Sequence, residues 1–166
     1  MDVALTRAAL VDEIDAGWQR LDKVVSALSP ADLTRKLTSR DPEDPAWTIA
    51  DAVLHIAAWK RNGARVARLQ AEAGSKPVDA YPPQVLGIDT RAFNDALVRD
   101  RSQSREQAAV LREHRTAHAE MLAALVPLRD ERLLLDGRPR LWLAPVTWHP
   151  NHHLTRDILA TLGRPT

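Results

Sequence analysis

Six histidines carry most of the chemistry that this sequence offers, and they are unevenly placed. His55 stands alone, His114 and His118 form a pair, and His149, His152 and His153 form a cluster. Residues four apart on a helix lie one above the other, with Cβ atoms about 6 Å apart, so two imidazoles at that spacing can grip one ion. His114/His118 and His149/His153 both have it. For His149/His153 two readings stand open, a pair of metal ligands or a solvated polar helix start. Pro150 suits a first helical turn, where its missing N–H is not needed. His152 points about 100° away from His153, so at most one of them shares a site with His149. His114 falls in the middle of the apolar stripe of Leu111, Met121 and Leu125, with His118 beside it. A polar group there needs a partner. The pair is either satisfied in the core or at its edge, or lends imidazoles to a central cavity. His55, one turn before Trp59, reads on its own as packing.

Composition narrows the options. The chain has 166 residues, no cysteine, 23 Lys plus Arg against 22 Asp plus Glu, and a formal net charge of +1. Absence of cysteine excludes disulfides, a thiol nucleophile and sulfur-ligated zinc, so any metal would take His, carboxylate or water. The charge balance gives no electrostatic reason to bind nucleic acid or an anionic membrane. Neither a Gly-rich phosphate loop, a GxSxG elbow nor an HExxH pair occurs. Of seven aromatic residues five are Trp. These are docking anchors or the walls of a pocket, with Trp59 and Trp148 next to histidines. The start, MDVALTRAALVDEI, does not read as a signal peptide, and no apolar run is long enough to span a membrane. A cytoplasmic protein is expected.

Helical periodicity must position these residues. Leu10, Ile14, Trp18, Leu21, Val25 and Leu28 form one stripe of a first helix. Ser29-Pro30 stops it, and a short helix from Ala31 to Leu37 follows. Residues 38–46 read as a loop. A second long helix starts at Thr48, with Asp51 completing a capping box, and fades near Gly74. Its inner face is Ala52, Ile56, Trp59, Gly63 and Val66, with His55 on the edge. The proline-rich stretch 75–89 is a long connection, a crossover or a lid. Asp89 or Thr90 caps a short helix through Phe93 and Val98. Ser104 and Gln107 form a second capping box before a third long helix that ends at Pro127. Residues 130–147 are a packed loop or a short β-hairpin. The last helix opens at Pro150 and ends at Gly163. These elements predict one domain over residues 1–166, an all-α four-helix bundle with short accessory helices.

The block Trp47-Thr48-Ile49-Ala50-Asp51-Ala52-Val53-Leu54-His55-Ile56-Ala57-Ala58-Trp59 resembles the second-helix signature of the DinB-like four-helix-bundle superfamily. It is most similar to the ClbS/DfsB branch, as is the Phe93-Asn94 step. The third helix and the His149-x-x-x-His153 pair look alike too, so the likeness runs over residues 5–160. The resemblance implies a bundle with a long crossover connection, commonly a homodimer. It also implies His55, His149 and His153 as ligands of a divalent metal, Ni²⁺, Zn²⁺ or Fe²⁺, completed by water. Relatives include enzymes that use a low-molecular-weight thiol, so the expected substrate is an electrophilic small molecule attacked by activated water or thiol. His114, His118 and His152 would then support the ligands or act as a general base, and Trp59 and Trp148 would wall the pocket. A metal-free pocket that binds or sequesters a small molecule, and a structural dimer without activity, are the competing expectations.

Overall fold

The computed structural model describes residues 6–38, 47–72, 92, 94–96, 100, 104–133 and 146–164. Helix α1 (Arg7–Val25) starts where the Thr6 hydroxyl accepts from the Ala9 N–H at 3.1 Å, and it buries Leu10, Ile14, Gly17, Leu21 and Val25. Helix α2 (Pro30–Leu33) opens with a reciprocal capping box between Ser29 and Asp32. It is shorter than the stretch to Leu37 that periodicity predicts. The chain turns instead to meet the start of the next helix: Lys36 bridges Thr48, and the Leu37 N–H donates to the Trp47 carbonyl at 2.9 Å.

Helix α3 (Ile49–Glu72) begins with the predicted capping box. The Thr48 N–H donates to Asp51 Oδ2 at 2.9 Å, and the Asp51 N–H donates back to the Thr48 hydroxyl at 3.3 Å. Of its 24 residues 17 are buried, so it is the central helix, covered on nearly every side. Helix α4 (Gln107–Leu125) forms its most extensive partner. The predicted Ser104–Gln107 box does not form. Gln107 donates instead across the bundle to the Leu28 carbonyl at 2.5 Å, and Ser104 accepts from the Glu106 N–H. A single turn, α5 (Asp130–Leu133), follows. The last helix, α6, starts at Trp148, two residues before Pro150. It consists of an α-helical turn Trp148–His152, a π-helical stretch His153–Leu159 and a closing turn Ala160–Leu162, ended by Gly163 at φ 67°.

The described residues are all-α, without a strand, and α1, α3, α4 and α6 pack as the four-helix bundle. None of these helices is long and apolar enough to cross a membrane. Ala92 and residues 94–96 are helical, as the accessory helix requires. Most of the 38–46 loop, the 75–89 connection, the helix end at Gly74, Phe93 and Val98, and the hairpin-or-loop at 134–145 lie outside the described residues.

Among the described residues two apolar clusters form the core. One joins the C-terminal half of α1 to the start of α3, Val110, Leu154 and Ile158. The other joins Leu10 and Ile14 to Ala64, Val66, Met121, Leu125 and Val146. Between them, at mid-height, the sequence places a polar layer. On one side of α3 it holds Lys60, His114 and His118, all buried. His118 Nε2 lies 3.2 Å from Asp15 and His114 Nε2 lies 3.4 Å from Asp22, both carboxylates coming from α1. The Trp18 ring stacks on His118 at 4.3 Å, nearly parallel. Burial, then the Lys60 cation, pushes both imidazoles down to about 4, against the opposing pull of Asp22 and Asp15. Burial also brings Lys60 down to about 7.

The chain reaches α6 across a close contact. A Cβ built on Gly63 would stand 2.5 Å from Val146 Cγ1 and 3.1 Å from Met121 Sδ. Val146 directly precedes Thr147, Trp148 and His149, so the missing side chain at Gly63 is what seats the segment carrying His149. Alanine would gain some helix propensity, but β-branched Val146 cannot swing aside, so overpacking wins. Gly63→Ala is expected to destabilise by about 1–3 kcal/mol, read as a lower Tm. The neutral His114 and His118 give a second expectation. They bind protons near 4 in the fold and near about 6.5 in the unfolded chain. Their contribution is complete above the unfolded value and is lost as pH falls toward 4. Urea unfolding across that range should show the decline, and His118→Gln should flatten it.

Candidate metal centre

On the other side of α3 the same layer holds three converging imidazoles. α3 presents His55, buried to 2% exposure, with the Trp47 ring edge-on at 5.0 Å and Trp59 edge-on at 6.4 Å. The first turns of α6 present His149 and His153 four residues apart. His149 Nε2 lies 3.3 Å from His55 Nε2 and 2.9 Å from His153 Nε2. One ligand nitrogen from each ring falls within 4.8 Å of the others. Nitrogens about 2.1 Å from a shared ion, at tetrahedral or octahedral angles, stand about 3.0–3.4 Å apart. The two Nε2 contacts of His149 have about that spacing, and the group as a whole is compact enough that it could hold one ion.

The lone pairs face the right way. His153 Nδ1 contacts the buried carboxylate of Asp157, four residues on in the π-helical stretch. An ionised carboxylate only accepts, so the proton sits on Nδ1 and the Nε2 lone pair of His153 points into the centre. His149 Nδ1 is buried with no hydrogen-bond partner among the described residues, which leaves its ring to be oriented through Nε2. Burial, helped by His153 and His152, pushes His149 down to about 3. It is an unprotonated donor at neutral pH, the state that metal binding needs.

A cavity of about 250 Å³ opens over the triad. Beyond the three histidines it is lined by Asn94, Trp148, His152, Arg156 and Asp157. Asn94 Oδ1 accepts from the Trp59 indole N–H at 3.1 Å, tying the accessory helix to the pocket wall. Trp148, 57% exposed, stands at the mouth.

Each residue singled out from the sequence now has a place. His55, His149 and His153 meet, although 94 residues separate the first two. His152 points aside from the triad and lines the mouth, as its angular offset on the helix required. Trp59 backs the triad and Trp148 flanks the opening. His114 and His118 line neither triad nor cavity. They belong to the cluster on the far side of α3, where His118 has a hydrogen-bond contact with Asp15 and His114 lies 3.4 Å from the Asp22 carboxylate. Asp157 and Arg156 join the site without being singled out by the sequence patterns. The repeat of the four-residue step from His153 to Asp157 was the available signal. Lys60 lies on the inner stripe between Ile56 and Gly63, a position whose burial spacing alone does not announce for a cation.

No curated protein and no solved structure matches the chain. A family model described as the DinB superfamily matches residues 13–155, a span that includes all three converging histidines and most of the bundle. With its all-α fold and that match over most of its length, the chain belongs to the DinB superfamily.

Proposed function

We propose that the protein is a metal-dependent enzyme of the DinB type, in which His55, His149 and His153 hold one divalent ion for attack by water or a low-molecular-weight thiol on an electrophilic small molecule. The convergence of three Nε2 atoms from two helices carries the reading. Three neutral imidazoles without thiolate suit Ni²⁺, Zn²⁺ or Fe²⁺. A divalent ion held there supplies Lewis acidity and lowers the pKa of water or thiol at its open positions.

The chain's own residues do the rest. Asp157 fixes the His153 tautomer. Trp47 and Trp59 pack against His55 and keep that side dry. His152, at the mouth and only partly buried, is placed to take a proton from the attacking group. The Trp47-to-Trp59 block supports a place near the ClbS/DfsB branch, and a homodimer is part of the same proposal. The near-neutral charge supports a small molecule over nucleic acid or membrane as partner. One observation favours a second reading. The Nε2 contacts at 2.9 and 3.3 Å also suit imidazole–imidazole hydrogen bonds, so the same cavity can bind a small molecule without metal.

Calorimetric titration of untagged protein with Ni²⁺ and Zn²⁺ tests between them. The metal reading expects one ion per chain and a Tm that rises with metal. His55→Ala should abolish that binding while the helical circular dichroism is kept. Asp157→Asn should weaken it by about 10–100-fold. Folded protein that binds neither ion would leave the metal-free reading.

A further inference from the structure

The mouth of the cavity carries chemistry that metal binding does not use. Trp148 precedes His149 yet turns outward, and more than half of its surface is exposed. Its ring is not loose: it meets His149 at 5.9 Å and His152 at 5.8 Å, both edge-on. More than half of the indole is therefore left as an apolar aromatic surface at a concave site.

Beside it, His152 and Arg156 lie four apart on α6, and both line the cavity. Arg156 is exposed, and its Nη1 lies 3.4 Å from His152 Nε2. No carboxylate among the described residues pairs with it, whereas Arg61 and Arg105 are engaged by Glu113 and Asp51. Asp157, the cavity's one acid among the described residues, is turned inward onto His153. Among the described residues the guanidinium is thus the uncompensated charge at the opening, and any cation held by the three imidazoles adds to it. Guanidinium forks match carboxylate geometry. The cavity, about 250 Å³, suits a compound of one ring rather than a large ligand.

We propose that this site takes a small flat organic anion, with its carboxylate on Arg156 and His152 and its apolar face against Trp148. The proposal deepens the function above by naming the substrate class, and it rests on that reading only for what happens at the triad. A cation would meet Arg156 unfavourably. An uncharged analogue would lose the ion pair while keeping the stacking.

Benzoate, benzamide and benzylamine share one ring and differ in charge, so they separate these terms. Binding is followed by ¹H–¹⁵N spectra of the full-length protein, with and without Zn²⁺, on the Trp148 indole signal identified by Trp148→Phe. Benzoate should shift that signal and bind about tenfold or more tightly than benzamide, with benzylamine weakest. Arg156→Gln should bring benzoate to the level of benzamide and leave benzamide unchanged. Equal binding of benzoate and benzamide, an Arg156→Gln variant that still prefers benzoate, or no benzoate shift at millimolar concentrations would each overturn the proposal. Zn²⁺ titration of the same samples keeps the two ideas apart. Benzoate preference without Zn²⁺ binding leaves the anion subsite standing and removes the metal. Zn²⁺ binding without benzoate preference does the reverse.

Discussion

Burial of imidazoles at the middle of the bundle is the constraint round which the structure is arranged. Five of the six histidines sit in, or at the edge of, a polar layer that divides two apolar clusters. A buried ring resists taking a charge and still needs partners for its nitrogens. The two sides of α3 surround their rings differently. On one side Asp15 and Asp22 reach in from α1, and Trp18 covers the rings. On the other the rings face one another, with a single carboxylate behind His153. His55 and Lys60, five residues apart, are about 140° apart round the helix, which is why one helix serves both clusters without mixing them.

The triad depends on the fold at points remote from the three imidazoles. His55 is placed because α3 is covered nearly all round and its start is pinned by Thr48, Asp51 and Arg105. His149 is placed because Val146 packs where Gly63 has no side chain. His153 is turned by Asp157 inside a π-helical stretch, a local widening that is frequent at functional sites. Stability and site geometry are coupled at each point, since the groups that pack the core also aim the lone pairs.

Much of the fold was legible in the residues. The stripes of α1, α3 and α4 follow the 3.6-residue repeat, and Thr48 with Asp51 forms the cap that its spacing announced. What failed did so for tertiary reasons. Gln107 left its local cap for the Leu28 carbonyl, a bond across 79 residues. The second helix stopped at Leu33 because the next residues pair with the strand-like start of α3. Asp157 was readable as a four-residue step but had no meaning until its carboxylate met His153.

By itself the sequence determined the kind of elements, the absence of sulfur ligands and the two histidine pairs that could share an ion. It reached His55 as a third ligand only through likeness to a family. Spacing along a helix is local, so His114/His118 and His149/His153 looked alike. Only the tertiary structure decided between them. It brought His55 to one pair and two aspartates to the other, because which side of α3 each helix covers is set by packing between distant segments.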